Sequence, residues 1–223
     1  MKYLFLCALS LLLAAVFIYF EHDKKYVYAV AFKGAASMVF VIVGLLSAGL
    51  TESPLAPKIV LGLGLGCVAD VLLNLRYVFP KYGQLIFLGG ILVFLGGHIA
   101  YLTAVFPLVK NKFVIIFLAA ILTALLMYWI FKRITAKLAF KIFGVVYIGA
   151  IVALNCVAFN NILTDPGNFT TMFMVGSLLF LISDIVLILN TFGRESKFSL
   201  RIVNLSLYYL GQILIALSLQ VLK

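Results

Sequence analysis

The sequence predicts an all-α, polytopic membrane protein of about eight transmembrane helices, and three observations carry that prediction. Hydrophobic residues make up 65% of the 223, and charged residues only 11%, against about a quarter in a soluble domain. The apolar runs are long enough to cross a hydrocarbon core, which takes about 20 helical residues. They are continuous rather than alternating, and this separates helices from the strands of a closed barrel, the other architecture that satisfies its backbone in lipid.

The spans fall at 3–20, 26–48, 58–75, 84–107, 113–131, 138–160, 169–190 and 200–222. The first begins after Lys2 as a signal peptide would. It ends in Phe17-Ile18-Tyr19-Phe20-Glu21 without a small-x-small cleavage site, so it is kept as a span. Each break carries a turn or charge signal: Glu21 to Lys25, Ser53-Pro54 with Pro57, Arg76 to Tyr82, Pro107 to Lys112, Lys132-Arg133, Asp165-Pro166-Gly167 and Gly193 to Lys197. All are short, so the expectation is one transmembrane helical domain over 1–223.

The net charge of +10 does not imply nucleic acid. Lys and Arg are scattered between the apolar runs, as topology signals are, and form no extended basic face. With eight spans, Lys2, Lys58, Lys110, Lys112 and Lys223 lie on one side. Lys24, Lys25, Arg76, Lys81, Lys132, Arg133, Lys137, Arg194, Lys197 and Arg201 lie on the other. The richer side is expected to face the cytoplasm, in a bacterium across the inner membrane. Cys7, Cys67 and Cys156 all sit inside spans with no paired Cys or His spacing, so neither a metal site nor a disulfide framework is expected.

A faint four-plus-four parallel repeat is also visible. Ala31-Phe32-Lys33 matches Ala139-Phe140-Lys141. Gly62, Asp70 and Leu73 match Gly176, Asp184 and Leu187. Leu88-Gly89-Gly90-Ile91-Leu92 matches Leu210-Gly211-Gln212-Ile213-Leu214.

Ionisable groups inside spans are few: Asp70, Asp184, His98, Lys33 and Lys141. Each costs about 2.5–3.5 kcal/mol at mid-helix on insertion scales, which makes it a functional candidate. Lys141 is near enough to a loop to snorkel, and Lys33 is only about two turns in. By the span limits above, both aspartates lie roughly 8–9 Å inside the cytoplasmic boundary. Gly62, Gly66, Asp70 and Asn74 recur every four residues and share a helix face, as do Asn204, Tyr208 and Gln212. His98 lies nearer mid-membrane, with Tyr101 one turn on. These groups are expected to converge on a cavity open to the cytoplasmic leaflet.

Two carboxyls in one poorly solvated site do not both ionise; one keeps its proton. That division suits bond cleavage through an oxocarbenium-like state, with one acid and one base. A vinyl ether breaks by such a route, with no nucleophile, metal or nucleotide. The chain carries no Gly-x-Ser-x-Gly, His-Glu-x-x-His or phosphate loop.

The blocks Gly62 to Leu73, Phe87 to Tyr101 and Gly176 to Leu187, with the closing Tyr208-Tyr209-Leu210-Gly211-Gln212, resemble the YhhN-like lysoplasmalogenase family over nearly the whole chain. It departs from that pattern in the second span, where Lys33 precedes Gly34 rather than proline. The resemblance implies a cofactor-free membrane enzyme that hydrolyses the vinyl ether of a lysophospholipid substrate, drawn from membrane lipid, to a fatty aldehyde and a glycerophospho-choline or -ethanolamine. Asp70 and Asp184 would then be catalytic. His98, Tyr208, Gln212, Asn74, Tyr101 and Ser183 would line or position the substrate, and Lys33 would meet the lipid phosphate. The competing reading is a transporter with intramembrane carboxylates. The spans carry few of the Gly/Pro interruptions that unwound transporter helices show.

Overall fold

The computed structural model describes residues 2–222. Its long helices are α1 Lys2–His22, α2 Tyr26–Ala48, α3 Ala56–Val78, α4 Gly83–Val105, α5 Lys112–Phe131, α6 Leu138–Thr164, α7 Asn168–Phe192 and α8 Phe198–Ser218. Short 3₁₀ turns flank α4 and follow α8. Among the described residues, eight helices are long and apolar enough to span a bilayer, and the protein is an all-α polytopic membrane protein.

The breaks form where side chains stop the helices. The α1–α2 turn has Lys24 in the left-handed region at φ 58°. Lys25 N–H donates to Phe20 O and Lys24 N–H to Glu21 O, the pairing of a Schellman stop. Proline sits in the first turn of α3, where its missing N–H costs nothing. Asn111 Oδ1 accepts from Val114 N–H at the start of α5. The α5–α6 loop is clasped to the end of α7: Thr135 N–H donates to Phe192 O at 2.8 Å.

Helices α2, α3, α4, α6, α7 and α8 form a closed ring, with α8 returning to α2. Outside it, α1 leans on α2 and α8, and α5 leans on α6. The joints between the two halves are equivalent, α4 against α6 on one side and α8 against α2 on the other.

This arrangement corrects the register of the repeat. Within the halves, Gly62 faces the Tyr101 ring and Gly97 lies against Gly62 O, while Gly176 faces Ile215 and Gly211 lies against Gly176 O. One constant offset relates Gly62, Gly97 and Tyr101 to Gly176, Gly211 and Ile215, and also Asp70 to Asp184. The α3/α7 match therefore stands. The match of Gly89 to Gly211 does not, because Gly89 has open space around it. Nor does Lys33 to Lys141: Lys33 is 3% exposed in the core, whereas Lys141 is only half-buried and beside an apolar chamber. The residue of α6 at the position of Lys33 is Tyr147. Short runs of Ala, Phe, Leu and Gly recur by chance in so apolar a chain, whereas backbone approach admits only one register.

Candidate functional site

Since α3 extends to Val78 and α7 to Phe192, Asp70 and Asp184 each lie eight residues from their helix ends, about 12 Å in. This is two to three residues deeper than the sequence boundaries imply. Both carboxyls line one cavity, with Lys33, Asn74, Arg76, Ser183, Arg201, Asn204 and Tyr208. Its space for water centres is ≈ 30 Å³, room for about two waters at roughly 10–15 Å³ each.

The neighbours of the two acids differ. Asp70 Oδ2 accepts from Ser37 Oγ at 2.6 Å and from Tyr208 OH at 2.6 Å, and Lys33 Nζ lies 3.1 Å from its Oδ1. A buried lysine and two hydroxyl donors therefore surround this carboxyl. Asp184 accepts one short bond, from Tyr147 OH, and among the described residues no cation lies within ion-pair distance of it.

A polar chain leads outward from Asp70. Lys33 Nζ donates to Asn74 Oδ1 at 3.2 Å, and Asn74 Nδ2 donates to Glu21 Oε1 at 3.3 Å. Arg201 grips Glu21 with Nε and Nη2, both at 2.8 Å, and its Nη1 donates to Asn204 Oδ1. Asn204 Nδ2 in turn donates to Ser183 Oγ at 2.7 Å. Two ion pairs therefore cancel inside the bundle, which limits the cost of burying four charges.

On its other side the Asp184 carboxyl borders an apolar chamber. Leu73, Phe87, Ile91, Met127, Ile130, Phe140, Gly144, Tyr147 and Ile188 wall it, with Ile134 and Ala136 of the α5–α6 loop. Leu73, Phe87, Phe94, Asp184 and Leu187 belong to both compartments. Met127 and Phe131 also floor an outward-facing groove between α5 and α6. A further space of ≈ 410 Å³, a vestibule, adjoins the polar cavity and is bounded by Glu21, Tyr26, Arg76, Tyr77, Lys197 and Arg201.

Six of the nine residues expected from the sequence therefore surround one cavity: Lys33, Asp70, Asn74, Ser183, Asp184 and Tyr208. The other three stand behind it. Tyr101 OH donates to Gln212 Oε1 at 2.8 Å, and Gln212 Nε2 reaches Tyr208 OH at 3.5 Å, so the pair buttresses Tyr208. His98 is enclosed by the rings of Phe94, Tyr101, Tyr147 and Phe180, and among the described residues neither ring nitrogen has a hydrogen-bond partner. Lys33 does not snorkel; its ammonium is engaged on Asp70 and Asn74.

Sequence reasoning missed Ser37, Tyr147, Glu21 and Arg201. The last two passed as loop charges. Extending the Asn204-Tyr208-Gln212 stripe back by three residues reaches Arg201, and the 37-residue separation of Tyr147 from Asp184 equals that of Lys33 from Asp70.

Fold and site together define a polytopic helical membrane protein with acids and bases paired inside its spans. The chain belongs to the YhhN family, which it matches over residues 28–219. No curated protein and no solved structure matches it.

Proposed function

We propose that this protein is a lysoplasmalogenase-type hydrolase, cleaving the vinyl ether of a lysophospholipid to a fatty aldehyde and a glycerophospho-head group. The observation that carries the reading is the unequal pair of intramembrane carboxyls at one junction. Asp70 is neutralised by Lys33, Asp184 has a phenol but no cation, and Asp184 divides a polar cavity from an apolar chamber.

That junction suits the substrate. The hydrocarbon lies in the chamber and the head group extends toward the vestibule, which brings the enol ether beside Asp184 and leaves the small polar cavity to water. Asp184 gives its proton to the β-carbon, and the oxygen lone pair completes the oxocarbenium ion. Water adds to the α-carbon while the Asp70–Tyr208 side orients it, and the proton that water loses returns to the carboxylate of Asp184. The hemiacetal then collapses, its hydroxyl proton passing to the glycerol oxygen as the C–O bond breaks. Fixed donors and charges in a low-dielectric site stabilise the cation without rearranging.

The test is aldehyde release by purified protein from 1-alkenyl lysophosphatidylcholine and -ethanolamine, with alkyl-ether and acyl lipids as controls. Aldehyde from the alkenyl lipids alone is expected. A folded wild-type protein that releases none sinks the reading, and proteoliposome transport becomes the next assay.

A further inference from the structure

If a phosphorylated lipid lies with its chain in the apolar chamber, its phosphate needs a cation that the protein has not already used. Lys33 is committed to Asp70 and Asn74. Arg201 is committed to Glu21 through two nitrogens and to Asn204 through the third. Arg76 is different. Its Nη2 donates to Tyr77 OH at 2.6 Å, but among the described residues its buried Nε has no partner and no carboxylate pairs with it. The guanidinium carbon lies 4.4 Å from the centre of the Phe87 ring and 4.6 Å from that of Tyr77, so two aromatic rings hold the fork.

Its position is equally specific. Arg76 lines both the inner polar cavity and the outer vestibule. Phe87, which holds it, lines both the apolar chamber and the polar cavity, as Asp184 does. A guanidinium in that place faces the part of an amphiphile that lies between the buried chain and water.

We infer that Arg76 is a phosphate-binding residue, anchoring the phosphodiester of a lysophospholipid at the passage between the polar cavity and the vestibule. The choice of lipid class rests on the proposed function; the unpaired, ring-held cation does not. A planar fork takes two phosphate oxygens, and neither lysine nor a neutral side chain reproduces that geometry.

The experiment measures binding, not turnover, on the purified full chain. The ligands are a 1-O-alkyl lysophosphatidylcholine, which lacks the enol ether, and the matching 1-O-alkylglycerol, which lacks the phosphate. Wild type should bind the phosphorylated lipid roughly 10- to 100-fold more tightly, the range of a charge-assisted hydrogen bond. Arg76→Gln should reduce that preference to about threefold or less by the same measure and leave alkylglycerol affinity unchanged, and Arg76→Lys should recover part of it. Competition by inorganic phosphate, lost in Arg76→Gln, would show that the site takes the free oxyanion as well. No competition, with the lipid preference intact, would show that the phosphate must arrive on a lipid.

Equal wild-type affinity for the two ligands overturns the assignment, even if no variant folds. So does an Arg76→Gln protein that loses both affinities alike. Failure of aldehyde release leaves these readouts intact, so the hydrolase reading and the Arg76 assignment can fail separately.

Discussion

Asp70 and Asp184 are the same side chain at the same depth, and their neighbours give them different work. Lys33 is the neighbour that matters most for stability. Asp70→Asn leaves its ammonium buried without a counter-charge, and should cost about 3–5 kcal/mol, most of it recovered in the Lys33→Met/Asp70→Asn double variant. Thermal unfolding of the four proteins in detergent checks the cycle; additive losses would mean the pair is not coupled. Asp184→Asn removes no ion-pair partner. It should stay within about 1 kcal/mol of wild type and lose roughly 10²- to 10⁴-fold in aldehyde release, the usual contribution of a positioned proton donor. Unfolding and turnover measured on one preparation separate the two effects. The aspartates were legible because a charge inside an apolar run is conspicuous. Tyr147 was not, being one of 11 tyrosines in a chain where aromatic residues mostly fill space.

Helix pairs are set by small residues at their crossings. A Cβ on Gly176 would come within 2.8 Å of Gly211 O, and one on Gly211 within 2.8 Å of Gly176 O. Backbone cannot yield there as a flexible side chain can. Gly176→Ala should therefore destabilise by about 1–3 kcal/mol, whereas Gly89→Ala, with open space around it, should be neutral or gain up to about 1 kcal/mol from helix propensity. Melting temperatures of the two variants decide this, and equal losses would contradict the crossing described. The eight elements themselves could be read from hydropathy, with ends misplaced by a few residues. Those few residues carried consequences. They put Asp70 and Asp184 two to three residues too shallow and left Glu21 outside its span, because hydropathy stops at the first charge while a helix continues as long as the charge finds a partner.

Across the whole molecule, the uneven distribution of Lys and Arg predicts orientation. Single cysteines at Lys24 and Lys137 should react with an impermeant maleimide only from the cytoplasmic side, and cysteines at Glu52 and Asp165 only from the opposite side. The reverse pattern would invert the topology. The apolar chamber sets a second expectation. A Cβ at Gly144 would meet only Met127 Cε at 3.9 Å, so a small side chain fits, but Gly144→Phe fills the chamber. It should depress turnover of long-chain more than short-chain alkenyl lipids, which a chain-length series of kcat/KM would reveal; a uniform loss would move the hydrocarbon elsewhere. Ring closure was invisible in the sequence. Contacts such as Tyr209 OH with Lys33 O join residues 176 positions apart, and no local pattern encodes them.

The chamber shares Met127 and Phe131 with the groove on the outer face of α5 and α6, while the vestibule is walled by charged and polar side chains. If the proposed hydrolysis takes place at Asp184, its fragments partition into different phases. The aldehyde would dissolve in the bilayer beside α5, and the glycerophospho-fragment in water. Once they separate, recombination requires an encounter across an interface, so dilution into two solvents pulls the equilibrium forward with no energy source in the protein.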